Sequence, residues 1–346
     1  MTNSCCLHDF KALLVKDNYI LGTKGYNIYR YNIKNGDFAF EAKINDKYAA
    51  FSRFFLTRRL LRAEITGFYT LQNGSQICIA KKGLFLRKAG SNAFKKCFNI
   101  KRGSRPMNLC VTSDRRIYFG EYFANIEKQE VHIYSSEDFG ETWNIVFSFP
   151  AGEINHIHGI FEDPYTKLLW IVTGDRENEC IIANTSDGFK TLNIVFRGNQ
   201  DFRACFLLFY EKFIVFATDS QYMQNEIKKI DRSSLKIETL QKIQGSGIYG
   251  GKTQNIAFIS TTIEPSEVNS DQNSHLWISM NGLNWKEVAS YPKDIWHKSL
   301  FQFGSIRFPN YEISEGNPPL VFTGRSLKHI DNSTIIFNIA NMDELK

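Results

Sequence analysis

Ser136-Glu137-Asp138-Phe139-Gly140-Glu141-Thr142-Trp143 is a tight polar turn that ends in a large aromatic. An apolar run follows it, Asn155-His156-Ile157-His158, and then a second run closing on Thr173-Gly174-Asp175. The turn then returns as Thr185-Ser186-Asp187-Gly188-Phe189-Lys190-Thr191-Leu192. After it, Arg203-Ala204-Cys205-Phe206 opens another first run and Ala217-Thr218-Asp219 closes another second one. A frame that repeats in this way is read before anything else, because it fixes the architecture.

Turns of the same kind fall near Gly36, Ser91, Asp138, Asp187, Ser233, Asn281 and Asp331, between 46 and 55 residues apart. The longest interval absorbs an insertion, Arg58–Glu64, within a stretch from about Phe51 to Ile65 that reads either as a helix or as a strand carrying that insertion. Between turns the chain reads as short β-rich runs, such as Ala12–Val15, Tyr19–Thr23, Asn27–Ile33 and Phe38–Ile44. A repeat in the forties holding four strands is the spacing of a propeller blade. The expectation is an all-β, seven-bladed β-propeller with four antiparallel strands per blade. It forms one domain over 1–346, with blades ending near 45, 100, 149, 198, 243, 290 and 340.

Three turns share chemistry as well as position, the third being Ser279-Met280-Asn281-Gly282-Leu283-Asn284-Trp285. A carboxylate or amide accepts from turn N–H groups, glycine tolerates positive φ, and the aromatic packs between sheets. Here the chain resembles the Asp-box (BNR) repeats of the sialidase-like superfamily, which includes glycosidases, lyases and non-enzymatic propellers. The resemblance implies a propeller whose boxes lie away from the ligand funnel, so Asp138 and Asp187 are structural. The Arg-Ile-Pro signature of true sialidases has no counterpart in the first hundred residues. Ser305-Ile306-Arg307-Phe308-Pro309 is similar to it but lies in the last blade, and the sialidase arginine triad is not carried over.

Composition narrows the classes. The 346 residues carry 42 Lys and Arg against 36 Asp and Glu, with no basic run long enough for a nucleic-acid arm. No stretch has the length of a membrane span, and Met1–Asp9 lacks the regions of a signal peptide. Seven scattered cysteines without a CxxC or zinc spacing read as reduced thiols. A cytoplasmic monomer is expected, with no cofactor, no nucleic acid and no membrane partner.

In a propeller, ligands meet the starts of the first strands and the ends of the second strands. The first set is basic: Arg105, Arg203 and Lys252, with His156 and His158. The second is acidic: Glu121, Asp175 and Asp219, each closing a second strand. Residues i and i+2 of a strand share a face, so the two imidazoles converge. They suit proton transfer near neutrality; two histidines are only half a metal site, and no metal is assigned. The expected function is cleavage of a glycosidic bond in an acidic oligosaccharide, by a lyase or a glycoside hydrolase. Arg105, Arg203 and Lys252, with Tyr122 and Gln200, bind substrate, and His156, His158, Glu121, Asp175 and Asp219 supply catalysis. The alternative is a non-catalytic propeller that binds a glycan or a protein.

Overall fold

In the computed structural model, residues 4–313 and 318–337 are described. The strands assemble into five separate blades and one larger sheet. The blade covering residues 110–149 shows the common plan. Cys110–Val111 is innermost, followed outward by Ile117–Gly120, Val131–Ser136 and Asn144–Phe149, all antiparallel. The 67–99, 156–197 and 208–242 blades repeat it, and the blade starting at Lys11–Lys16 carries a fifth strand. Burial follows strand position. Leu169–Gly174, second from the axis, is buried at every residue, while the outermost strand Asn144–Phe149 begins with three exposed ones.

The apolar core lies between blades. Cys110, Tyr118, Val131 and Ile133 of one blade form a single cluster with Ile157, Ile160, Leu169 and Ile171 of the next. Contact there is close enough that a Cβ on Gly120 would stand 2.4 Å from Ile157 Cγ2, so glycine is required at that position. Burying sheet faces against neighbouring sheets is what makes a ring of blades stable, and this is a β-propeller.

The three aromatic turns are built alike. Asp138 accepts from the backbone N–H of Glu141 and Thr142 at 3.0 and 2.9 Å, and from Ser136 Oγ at 2.8 Å. Trp143 Nε1 donates to Gly140 O at 3.1 Å, and Trp285 Nε1 donates to Gly282 O at the same distance. Gly140, at φ +87°, takes the left-handed conformation the turn demands. Each turn joins a third strand to an outer fourth. Strand alternation therefore puts it at the end of the blade opposite the starts of first strands.

Strands end at Lys43, Asn99, Phe149, Arg197, Lys242 and Pro292. The expected boundary near 340 lies outside the described residues. Asp331 is a correction: its turn joins Leu320–Arg325 to Thr334–Phe337, which are not the last two strands of a sheet. The outer strand there is Ser4–Leu7, antiparallel to Thr334–Phe337, so the two ends of the chain close the ring together. The backbone N–H of Ala12 also donates to Thr334 Oγ1 at 3.0 Å. The larger sheet contains Ser246–Lys252, Ala257–Ile263, Asn273–Ser279 and Lys286–Pro292. It joins the remaining four strands through Thr262 opposite Ser305. Phe55–Leu61 is a helix, the first of the two readings its sequence allows. No helix of the described residues is long and apolar enough to cross a membrane.

Candidate functional site

Two groups of charged side chains gather where first strands begin and second strands end. The first is built by the 156–197 and 208–242 blades. His156 opens its inner strand, and His158 lies two residues on, across a register shift between Ile157 and Gly159. The rings converge with Nε2 atoms 3.1 Å apart. Gly174 makes room, because a Cβ there would stand 2.5 Å from His158 Cε1. Asp175, at φ +119°, brings Oδ1 to 3.6 and 3.9 Å from the two Nε2 atoms. Such a backbone angle is costly for a residue with a side chain and is held by its surroundings. Asn155 Nδ2 donates to Asp175 Oδ2, and the Tyr122 ring lies against His156 with centroids 4.2 Å apart.

Arg203 ties this group together. It donates to Asp175 Oδ1 at 3.0 Å and to Asp175 O at 3.1 Å, and Asp219 Oδ2 lies 3.5 Å away. Cys205 Sγ donates to Asp219 Oδ2 at 3.4 Å, while Asp219 Oδ1 is buried without a hydrogen-bond partner among the described residues. Burial pulls both imidazoles down to about 4, with Arg203 adding to the effect. Burial acts to raise Asp175, yet the rings, Arg203 and Asn155 outweigh it and hold the carboxyl low. For Asp219 burial wins over Arg203, and the carboxyl is pushed up.

The second group comes from the two ends of the chain and the helical insertion. Glu64 accepts from Lys11 Nζ at 2.8 Å and from Arg105 Nη2 at 3.4 Å, and it pairs with Arg325. Arg307 adds its charge from beside the Tyr249 ring, 4.3 Å from the centroid. Four cationic side chains thus share one carboxylate. Burial, with Arg307 and Arg325 nearby, lowers Lys11 to about 7. Burial and Arg307 lower Arg325 to about 9. The cations hold Glu64 well below the usual carboxylate range despite its burial. Arg325 Nε is buried with no hydrogen-bond partner among the described residues.

His156, His158, Asp175, Asp219, Arg203 and Tyr122 therefore meet as the sequence suggests. Four other expected residues do not join them as expected. Glu121 closes its strand as anticipated but turns to Arg102, whose Nε donates to Oε1 at 2.9 Å, and to the His132 N–H. It lines a cleft of about 540 Å³ together with Arg102, Arg105 and Tyr122. Arg105 belongs to the Glu64 group. Lys252 ends its inner strand rather than starting it, so it lies at the far end of that strand and donates to Phe209 O at 2.8 Å. Gln200 is buried with both ends of its amide used, donating to Asp175 O and accepting from Ser220 Oγ at 2.9 Å each. It positions the loop and leaves nothing for a substrate.

Glu264 is the residue that sequence reasoning passed over. It directly follows Ala257–Ile263, as Asp175 follows Leu169–Gly174, with Asp219 two residues past Phe213–Ala217, and that repeat was the available signal. Its carboxyl is raised to about 7, by burial first and then by the Asp219 charge. Ser246 Oγ lies 3.5 Å from its Oε2.

No family model matches the chain, and no curated protein matches it. Solved structures do. The GH74 enzyme of Niastella koreensis superposes with a TM-score of 0.56 at 13% identity, over 83% of this chain and 46% of that one. A chain of a mitotic checkpoint complex gives 0.55 at 8% identity, over 98% and 94%. A prolyl endopeptidase gives 0.53 at 11% identity, over 92% of this chain and 47% of the other. Proteins with such different names share the fold with this chain and no more, because function resides in sites placed on a fold.

Proposed function

We propose that this chain is a seven-bladed propeller of the Asp-box kind, in which the larger sheet counts as two blades. We also propose that it is a cytoplasmic, carbohydrate-active enzyme. Its substrate is an acidic oligosaccharide bound in the central funnel, where a glycosidic bond is cleaved. The observation that carries this reading is the Glu64 group, with four cations around one carboxylate. Such an excess suits an anionic ligand, and guanidinium groups bind carboxylate or sulfate with defined geometry.

The reacting end is the arc of His156, His158, Asp175, Asp219 and Glu264. Glycosidic cleavage needs a proton for the leaving oxygen, and a carboxyl that titrates at about 7 is suited to give it. Arg203 supports the arc by helping to hold the Asp175 carboxyl low and by lying 3.5 Å from Asp219 Oδ2. Elimination from a uronate and hydrolysis leave different products, and only elimination leaves an unsaturated, ultraviolet-absorbing one. The test is turnover of uronate-containing oligosaccharides by the wild-type chain and Glu264→Gln. Cleavage that falls at least ~100-fold in the variant supports the reading. Absence of any cleavage across such a panel, or full activity in the variant, contradicts it.

A binding-only propeller is the second reading, and one observation favours it. Asp175 and Asp219 share Arg203 and Glu121 pairs with Arg102, so each carboxylate already has an arginine partner within the protein. It predicts saturable binding of the same acidic glycan with no product.

A further inference from the structure

The histidine pair poses a problem of proton placement. His156 Nδ1 lies 3.1 Å from Phe123 O, and His158 Nδ1 lies 2.8 Å from Ala204 O. A carbonyl oxygen can only accept, so Nδ1 carries the ring proton in His158, and in His156 when its 3.1 Å contact to Phe123 O is made rather than the 3.3 Å one from Asn155 Nδ2. In a neutral imidazole the other nitrogen is then bare. Both Nε2 lone pairs therefore point toward each other across 3.1 Å, in a buried place, with a carboxylate oxygen beside them. Three electron-rich atoms facing one spot repel unless something positive sits among them. Arg203 meets Asp175 but makes no bond to either ring.

We propose that His156 Nε2, His158 Nε2 and a carboxylate oxygen of Asp175 bind one divalent transition-metal ion of the zinc class, with a fourth position open to the channel. The separations are those of such a site. Bonds of about 2.0 Å in a tetrahedron put neighbouring ligand atoms about 3.3 Å apart, and the three separations here are 3.1, 3.6 and 3.9 Å. The outer contacts are also those a metal-binding histidine uses, with Nδ1–H held by a backbone carbonyl to fix tautomer and ring plane. Two imidazole nitrogens and one carboxylate oxygen leave room for a water or a substrate oxygen, as at catalytic zinc centres. Asp175 is the more open ligand, its side chain 31% exposed against 8% and 2% for the rings, so the free position faces its side. The charge balance also favours a cation, since Asp175 and Asp219 together outnumber Arg203.

His158, Cys205 and Asp219 also approach one another closely enough to hold an ion. The histidine atom facing Cys205 is Nδ1, however, which is committed to Ala204 O. The Nε2 side is the one with free lone pairs. This inference goes beyond the glycan reading, because metal binding requires no substrate. With an ion present the two Nε2 atoms are ligands, and Glu264 keeps the proton-transfer role.

The test uses the full chain carrying Cys5→Ser and Cys6→Ser. Those thiols are exposed, and Cys6 Sγ lies 3.8 Å from His8 Nδ1, an alternative place for zinc. Chelator-treated protein is titrated with Co²⁺, followed by visible absorption, and with Zn²⁺ by calorimetry. The proposal expects one ion per chain, with the intense visible bands of four-coordinate cobalt. His156→Ala and Asp175→Asn should each weaken binding by at least ~tenfold, their folding checked by circular dichroism. His158 is more deeply buried and is left intact. Failure of the chain with His156 and Asp175 intact to bind either ion overturns the proposal, as does binding that both variants leave unchanged. Neither result depends on a glycan being cleaved.

Discussion

The two charged groups at the hub are made in opposite ways. Around Glu64, Lys11 and Arg325 come from near the two ends of the chain, Arg105 comes from an interblade segment, and Glu64 itself follows the helical insertion. One anion serves several cations. Around Arg203 the reverse holds: one cation serves Asp175 and Asp219, supplied by consecutive blades at equivalent strand ends. The first group lacks negative charge, and an incoming ligand can supply it. The second has more carboxylates than cations, so an incoming anion finds no vacancy there. An external anion should therefore relieve defects in one group and not in the other.

The largest expected effect comes from Arg203→Ala. It would leave buried Asp219 and half-buried Asp175 without their cation, at a cost of about 3 kcal/mol in urea unfolding at neutral pH. Sulfate at tens of millimolar should not restore it. Next is Glu64→Gln, which removes the carboxylate that four cations share. Its cost, about 3 kcal/mol, should be largely recovered in sulfate beyond what the same salt does for wild type. If sulfate rescues both variants equally, the contrast between the groups fails.

A smaller effect concerns pH. Lys11, lowered to about 7 by burial and its arginine neighbours, is charged below that pH and neutral above it. Affinity for an anionic ligand should then fall as pH rises from 6 to 8, by roughly tenfold. In Lys11→Arg, which stays charged throughout, calorimetry should show a flatter profile. An unchanged slope would remove Lys11 from the binding group. Smallest is Asp138→Ala in the aromatic turn. Losing its backbone hydrogen bonds should cost about 1–2 kcal/mol in thermal or urea unfolding, with glycan affinity unaltered.

The same contrast explains what the sequence could tell. Asp175 and Asp219 stand at matching positions in adjacent repeats, so counting residues from the turns finds them. His156 and His158 follow from strand periodicity, and Glu264 could have been found by the same count carried one blade further. Lys252 misled because it lies in a window near its strand but at the wrong end; only the strand's actual start at Ser246 reveals that. Glu121 had the right position, and Arg102, nineteen residues earlier in an irregular segment, turned it away. The Glu64 group was hidden for a different reason. Lys11 and Arg325 become neighbours only through ring closure, and no local pattern links residues so far apart in the chain. The final turn at Asp331 misled similarly, since the missing outer strand is supplied by Ser4–Leu7.

The central claim is that the hub takes an acidic sugar through its cationic side. It is tested most directly by calorimetric titration with a uronate oligosaccharide and with its carboxyl-reduced, neutral counterpart. The account predicts that the acidic form binds at least ~tenfold more tightly, and that Arg325→Met removes most of that difference. Equal affinity for the two forms, or a preference that survives Arg325→Met unchanged, would contradict it.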